Sequence, residues 1–146
     1  MTPPEPSVPS FPGKPMAWKR AGKAGRIQYT PTDMRNQQSF IRLLAMQEMA
    51  GRAPLDGPIR LRMDFRFEIP ASWSRRKQVA AMGAPHVSRP DASNLAKLVE
   101  DALNGTAFRD DAQVAELTIT KRYGPQALTV VMVEALADGI NAKEAA

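Results

Sequence analysis

Apolar and charged residues alternate strictly over residues 59–69, IRLRMDFRFEI, where every odd-numbered position is apolar and every even-numbered position is charged. A period of two is typical of a strand with one buried face and one face in water. Weaker alternation predicts two further strands, over 113–122 and 126–134, which the turn sequence YGPQ joins. The pattern therefore predicts a β-sheet with one buried face.

Segments with helical periodicity separate these strands. The first is predicted to run from Thr32, a favourable N-cap, to about Ala50, and the second is a short Ser-capped helix over 72–82. The third, 92–104, carries an apolar stripe on one face and ends at Gly105, as helices often do. This order of elements predicts an α+β fold, in which helices pack on a small mixed β-sheet.

The two ends of the chain differ in composition from its middle. Residues 1–12 contain five prolines and are interpreted as a flexible, Pro-rich arm, which leaves 13–136 as the single domain and 137–146 as a tail of uncertain structure. A length of 146 residues suits one domain with a substantial core. No apolar run approaches about 18 residues, and the N-terminus lacks the apolar region of a signal peptide, so we expect no membrane partner.

Net charge and the residue types present limit which partners and which chemistry the protein can have. The formal net charge is +5, which favours a polyanionic partner such as nucleic acid, although a basic surface kept for solubility is the alternative. The absence of cysteine excludes disulfides, thiolate nucleophiles and cysteine-based zinc sites, and it permits a reducing cytoplasm. The candidate DNA-binding residues are Lys14, Lys19, Arg20, Lys23, Arg26, Arg75, Arg76 and Lys77. For the last three, a solvated helix face is an equally good interpretation.

Acidic residues of this basic chain gather between positions 91 and 116, where there are six acids and two bases. On a helical wheel of 92–104, the face opposite the apolar stripe carries Ser93, Lys97, Glu100, Asp101 and Asn104. Asp91 precedes this helix, and Asp110-Asp111 precede the next predicted strand. If that strand packs beside the helix, the two acidic groups converge.

Convergent carboxylates without His or Cys ligands favour a hard cation such as Mg²⁺, and a basic surface around them is typical of a phosphodiesterase. The alternative interpretation gives these residues no catalytic or metal-binding role. In it Asp91 only caps the helix, Lys97 and Asp101 form an i,i+4 ion pair, and the remaining polar residues face water.

Two motifs carry a resemblance to a known family. RPDASNLAKLVEDALNG at 89–105 and AFRDDAQVAELTITKRYG at 107–124 resemble the RusA family of Holliday-junction endodeoxyribonucleases, which phages and prophages often carry. The family pattern is roughly PD-x-D-N-L-x-K, then DAL, then DDAQV before a strand. The matching positions cover about a quarter of the chain, and GKPMAWKR…YTP resembles the basic segment of the family more loosely.

The resemblance implies a Mg²⁺-dependent homodimer, with Mn²⁺ as the alternative metal and no small-molecule cofactor, that makes paired symmetric nicks in a four-way DNA junction in the bacterial cytoplasm. The implied catalytic residues are Asp91, Lys97 and Asp111, the implied metal ligands are Asp91, Asp111 and Asp110, and Asn94 is a supporting residue. A C₂ dimer meets opposed strands of a junction equivalently.

Ser93 departs from the family pattern, which usually has an acid at this position. Glu100 and Asp101 are the candidate substitute acids, and Ser93 itself is reduced to a supporting role. We expect activity, because Asp91, Lys97 and Asp111 remain. Two alternatives stay open: a catalytically weak or silent junction-binding protein of the same fold, and a general nucleic-acid-binding domain whose acids are only caps and salt bridges.

Overall fold

A computed structural model describes residues 10–18 and 31–140. Its elements are β1 (Ser10–Pro12), α1 (Pro31–Met49), β2 (Ile59–Glu68), α2 (Arg75–Ala81), α3 (Ala92–Leu103), a short 3₁₀ helix (Asp111–Gln113), β3 (Val114–Gly124) and β4 (Leu128–Ala135). Three helices and a four-stranded mixed sheet make this the predicted α+β fold. Within the described residues, none of the helices combines the length and the apolar composition needed to cross a membrane.

The strand order in the sheet is β1-β4-β2-β3. β2 pairs in parallel with β3 and antiparallel with β4, and β1 pairs antiparallel with β4. Parallel pairing of β2 and β3 requires a crossover, which α2 and α3 provide. β3 and β4 follow each other in the chain but lie on opposite sides of β2, so the link at 125–127 spans the end of β2.

The core lies on one face of the sheet. The alternating apolar residues of β2, from Ile59 to Phe67, are at most 6% exposed, as the period of two predicts. Ile41 of α1 and the apolar stripe of α3 belong to the same buried cluster. The other face of the sheet carries charges, among which Asp64 accepts hydrogen bonds from Thr120, Arg66 and Arg122.

Residues 10–12 differ from the predicted flexible arm, because they form the edge strand β1. Phe11 is 1% exposed and pairs with Thr129 in the sheet register. Pro12 is compatible with this position, because an edge strand does not need every backbone N–H. The folded domain therefore begins before residue 13, and residues 1–9 lie outside the described part of the chain, as do 141–146 of the predicted tail.

Helix boundaries differ from the prediction by one to three residues. α1 begins at Pro31, one residue before the predicted N-cap. α2 is shorter than predicted, because Ser74 is its N-cap and accepts a hydrogen bond from the backbone N–H of Lys77 at 3.2 Å. α3 begins at Ala92, as predicted.

Candidate active site

Asp91 occupies the N-cap position of α3, with extended backbone angles, and its side chain is exposed. Its backbone carbonyl accepts the first helical hydrogen bond, from the N–H of Leu95 at 3.0 Å, but its carboxylate makes no capping hydrogen bond. Proline at position 90 sets the backbone that leads into the helix. The helix therefore leaves both carboxylate oxygens of Asp91 available to a ligand.

Lys97 lies on the exposed face of α3, about one turn after Ser93. Its Nζ lies 3.6 Å from the centroid of the Trp18 ring. The backbone N–H of Trp18 in turn donates to the carbonyl of Asn94 at 2.9 Å, which attaches the segment before residue 19 to the first turn of α3. Within residues 10–18 and 31–140, no ion pair joins Lys97 to Asp101, so the i,i+4 pair of the alternative interpretation does not form.

Asp110 and Asp111 form the turn that leads into β3. The carboxylate of Asp110 accepts from the N–H of Ala112 at 3.2 Å, and Gln113 Oε1 accepts from the N–H of Asp110 at 2.8 Å, so the two side chains make a capping box. The hydrogen bond from Ala112, followed by one from the side chain of Asp111, holds the pKa of Asp110 below its usual range. Asp110 thus caps the 3₁₀ helix, while the exposed side chain of Asp111 takes no part in the capping box.

Gln113 also braces this turn against the loop before β2. Its Nε2 donates to the carbonyls of Leu55 and Gly57, each at 2.9 Å. Arg109 forms an ion pair with Asp56 in the same loop. These contacts connect residues more than 50 positions apart, and they hold Asp111 in one place relative to the sheet.

Four carboxyl groups interact where the last turn of α3 meets this turn; the carboxylate cluster comprises Glu100, Asp101, Asp110 and Asp111. Partial burial raises the pKa of Glu100, and the charges of Asp111 and Asp101 raise it further. The pKa of Asp111 is raised first by its hydrogen bond with Asp110, then by burial and by the charges of Asp110 and Asp101. The two acids in the last turn of α3 therefore converge with Asp110 and Asp111.

Asp91 is not among the charges that act on Glu100 or Asp111. It precedes Glu100 by nine residues, which corresponds to about 13 Å along the helix axis. The structure therefore brings together the candidate substitute acids Glu100 and Asp101 with Asp110 and Asp111, and it places Asp91 and Ser93 at the other end of α3. Lys97 lies between these two ends.

The donor chemistry fits a hard cation. Within the described residues, no group of three or more His, Cys, Asp or Glu side chains is placed so that it could hold a metal ion. Mg²⁺ does not require one, since it commonly binds through one or two carboxylates and keeps several waters. Burial raises the pKa of Glu100 first and the hydrogen bond with Asp110 raises that of Asp111 first, and repulsion between carboxylates adds to both. A divalent cation would relieve this repulsion, so these side chains suit Mg²⁺ held partly by water.

Candidate DNA-binding residues fall into three groups. Lys14 is exposed, and its charge acts on His86, which precedes Asp91 in the chain. Arg75 and Arg76 are exposed on α2, as is Lys77, whose Nζ lies 3.9 Å from the centroid of the Trp73 ring. Both interpretations of α2, as a DNA-binding surface or a solvated face, remain compatible with this exposure. The group that lies outside the described residues comprises Lys19, Arg20, Lys23 and Arg26.

His86 anchors the loop that leads to Asp91. Its ring stacks on Phe67 at a centroid distance of 3.9 Å, and its backbone N–H donates to the carbonyl of Lys121 at 3.0 Å. Burial, followed by the charges of Lys121 and Lys14, lowers the pKa of His86. Lys121 also donates from Nζ to the carbonyl of Ser88 at 2.6 Å, so β3 holds this loop at two points.

Three structural features of the site were not predicted from the sequence. The D-x-x-Q spacing of Asp110 and Gln113 is a capping-box signal, which was matched only as part of a family motif. No local signal places Trp18 beside Lys97, because the two residues belong to segments that are distant in the chain. No local signal shows that His86 stacks on Phe67, because the contact joins a loop to a distant strand.

Residues 12–134 match the model of the family described as Endodeoxyribonuclease RusA, and this range covers both acidic motifs, α1 to α3, β2, β3 and most of β4. The chain belongs to this family of endodeoxyribonucleases, which act on branched DNA junctions. Its sequence is also similar to that of a Bacillus subtilis (strain 168) protein, Uncharacterized protein YqaN, with 28% identity over 125 residues, 83% of this chain and 86% of the relative. The resemblance is confirmed, as is the α+β fold that the order of elements predicted.

Proposed function

We propose that this chain is a Mg²⁺-dependent endonuclease that resolves four-way DNA junctions by paired symmetric nicks and that it acts as a homodimer. The observation that supports the proposal most strongly is the exposed face of α3. That face begins with a carboxylate that the helix does not use, continues with a lysine free of ion pairing to Asp101, and ends at the carboxylate cluster.

Asp111 is a proposed metal ligand at the carboxylate cluster, where Asp110 holds its turn. Asp91 is a proposed ligand at the other end of the exposed face of α3. Glu100 is the better of the two substitute acids for the carboxylate that Ser93 lacks, because its half-buried group and Asp111 repel each other directly. When bound, Mg²⁺ supplies Lewis-acid polarisation of a phosphoryl oxygen and activation of water. Lys97 orients the attacking water or neutralises the negative charge that develops on the phosphate.

Dimerisation and DNA contact complete the proposal. A four-way junction has two-fold symmetry, and a C₂ dimer presents equivalent sites to its opposed strands. The basic residues before α1, together with those of α2, contact phosphates, which positions the junction without reading its sequence.

Cleavage of a labelled four-way junction, beside a linear duplex of the same sequence, tests this function. With Mg²⁺ we expect paired nicks in the junction alone, and with EDTA none. Tight binding selective for the junction, without nicks in Mg²⁺ or Mn²⁺, would instead identify a silent junction-binding protein, the candidate that the serine at position 93 favours. Equal binding of junction and duplex without nicks would identify a general nucleic-acid-binding domain.

A further inference from the structure

We propose that Trp18 is a positioning residue for Lys97: its indole ring holds the lysine ammonium on the exposed face of α3, between Asp91 and the carboxylate cluster. This inference rests on the proposed function, in which Lys97 acts on the phosphate. The 3.6 Å distance from Lys97 Nζ to the ring centroid is well within the range of a cation–π contact, and tryptophan is the ring that binds cations best.

The ring of Trp18 is itself held in place. Its backbone N–H donates to the carbonyl of Asn94 at 2.9 Å, and its side chain is partly buried against the hydrophobic core. Two positions in the same segment, Pro15 and Ala17, are buried. Trp18 therefore offers Lys97 a fixed surface, which a solvent-exposed aromatic side chain would not.

The group that contacts the Lys97 ammonium determines whether its charge stays available to a phosphate. Glu100 and Asp101 lie three and four residues after Lys97, the spacings at which helical side chains form ion pairs. Such a pair would neutralise the lysine and occupy an acid that is proposed to substitute for the missing ligand. An uncharged ring holds the ammonium without neutralising it, so its full charge and its remaining N–H donors stay available to a phosphate.

A double-mutant cycle tests whether Trp18 acts through Lys97. Trp18→Leu keeps an apolar side chain against the core but removes the ring, Trp18→Phe keeps a ring, and Lys97→Met removes the charge. We expect Trp18→Leu to lower the single-turnover cleavage rate at saturating junction about tenfold and to change the dissociation constant of the junction less than about twofold. Trp18→Phe should recover most of the rate, and Trp18→Leu should cause no further loss in the Lys97→Met background.

A matched control lies just before α2, where Trp73 makes the same kind of contact with Lys77 of that helix at 3.9 Å. Trp73→Leu should leave the cleavage rate unchanged within about twofold, because that ring does not hold Lys97. A Trp73→Phe background leaves Trp18 as the only tryptophan. In that background, Lys97→Met should change the fluorescence of Trp18 in EDTA and without DNA, which detects the contact even where cleavage is too slow to measure.

The outcomes separate this inference from the proposed function. Absence of nicks by the unsubstituted protein would contradict the function itself. Normal nicking by the unsubstituted protein, together with normal nicking by Trp18→Leu, would overturn the positioning role. An equal loss on Trp18→Leu with and without Lys97, or unchanged Trp18 fluorescence on Lys97→Met, would overturn it as well.

Discussion

The carboxyl group of Glu100 in the last turn of α3 lies close enough to Asp111 for the charge of Asp111 to raise its pKa. These residues belong to two motifs that the loop after α3 separates. Packing of α3 beside β3 brings them together, and Gln113 and Asp110 hold the turn on which Asp111 lies. The molecule thus accumulates negative charge at one end of a helix within a basic chain.

Glu100→Gln should stabilise the metal-free protein at pH 7, because it removes a half-buried charge that Asp111 and Asp101 repel. The melting temperature in EDTA should therefore rise. Addition of Mg²⁺ should raise the melting temperature of the unsubstituted protein, since a ligand that binds only the folded state stabilises it, and this increase should be smaller in Glu100→Gln. Glu68→Gln, an exposed substitution at the end of β2, is the control. A lower melting temperature in EDTA would contradict the repulsion.

Asp91→Asn should abolish cleavage and keep junction binding. The carboxylate makes no capping hydrogen bond, so the amide replaces it without disturbing α3. We expect the cleavage rate to fall about a hundredfold or more, the scale on which loss of one charge-stabilising group slows a reaction. Binding measured by gel shift should change little. Cleavage at the unsubstituted rate would show that Asp91 is not a ligand.

Ser93→Asp restores the acid that the family pattern usually has at this position. The side chain is exposed in the first turn of α3, where a carboxylate also interacts favourably with the helix dipole, so the fold should tolerate it. The cleavage rate at limiting Mg²⁺ should rise, and so should the apparent affinity for Mg²⁺. Ser93→Asn, which has similar size and no charge, is the matched control. An unchanged or lower rate would indicate that Glu100 or Asp101 already fills this role.

Gln113→Ala should loosen the turn that carries Asp111. The substitution removes two hydrogen bonds to the loop before β2 and the capping bond to Asp110, and we expect a loss of about 1–3 kcal/mol in unfolding free energy. Cleavage should fall, and it should be partly restored by higher Mg²⁺, because the ligand is displaced rather than lost. Gln126→Ala, on the exposed link between β3 and β4, should have neither effect. Full activity in Gln113→Ala would contradict the bracing role.

His86 predicts a loss of stability in mild acid. Its pKa in the fold is lower than its ordinary value of 6.5, because of burial and the charges of Lys121 and Lys14. Below pH 6.5 the histidine is therefore protonated more readily in the unfolded chain than in the folded chain. The unfolding free energy is highest above pH 6.5 and decreases as the pH falls through the pKa of the folded state. NMR titration of this single histidine and urea unfolding from pH 7.5 to 5 measure both quantities. His86→Gln should flatten this part of the profile; an equal acid loss in that variant would assign it to other groups.

Local sequence was sufficient for most of the secondary structure and for the residue types of the site. The alternation in β2 and the apolar stripe of α3 depend on neighbours a few positions apart, and both elements lie within a residue or so of the predicted bounds. The DDAQV turn also depends on residues a few positions apart, because its cap forms between Asp110 and Gln113. The absence of cysteine and the density of acids between 91 and 116 likewise require only the residue list.

Only the tertiary structure decided which elements and side chains meet. Prolines around Phe11 predicted a flexible arm, yet burial of that one ring against the core draws residues 10–12 into the sheet. β4 lies beside β2 rather than beside β3, because strand pairing depends on long-range burial and not on adjacency in the chain. The i,i+4 spacing of Lys97 and Asp101 allowed an ion pair as the alternative interpretation. The fold instead supplies Trp18 from a distant segment, because packing against α3 brings that ring within reach of the ammonium.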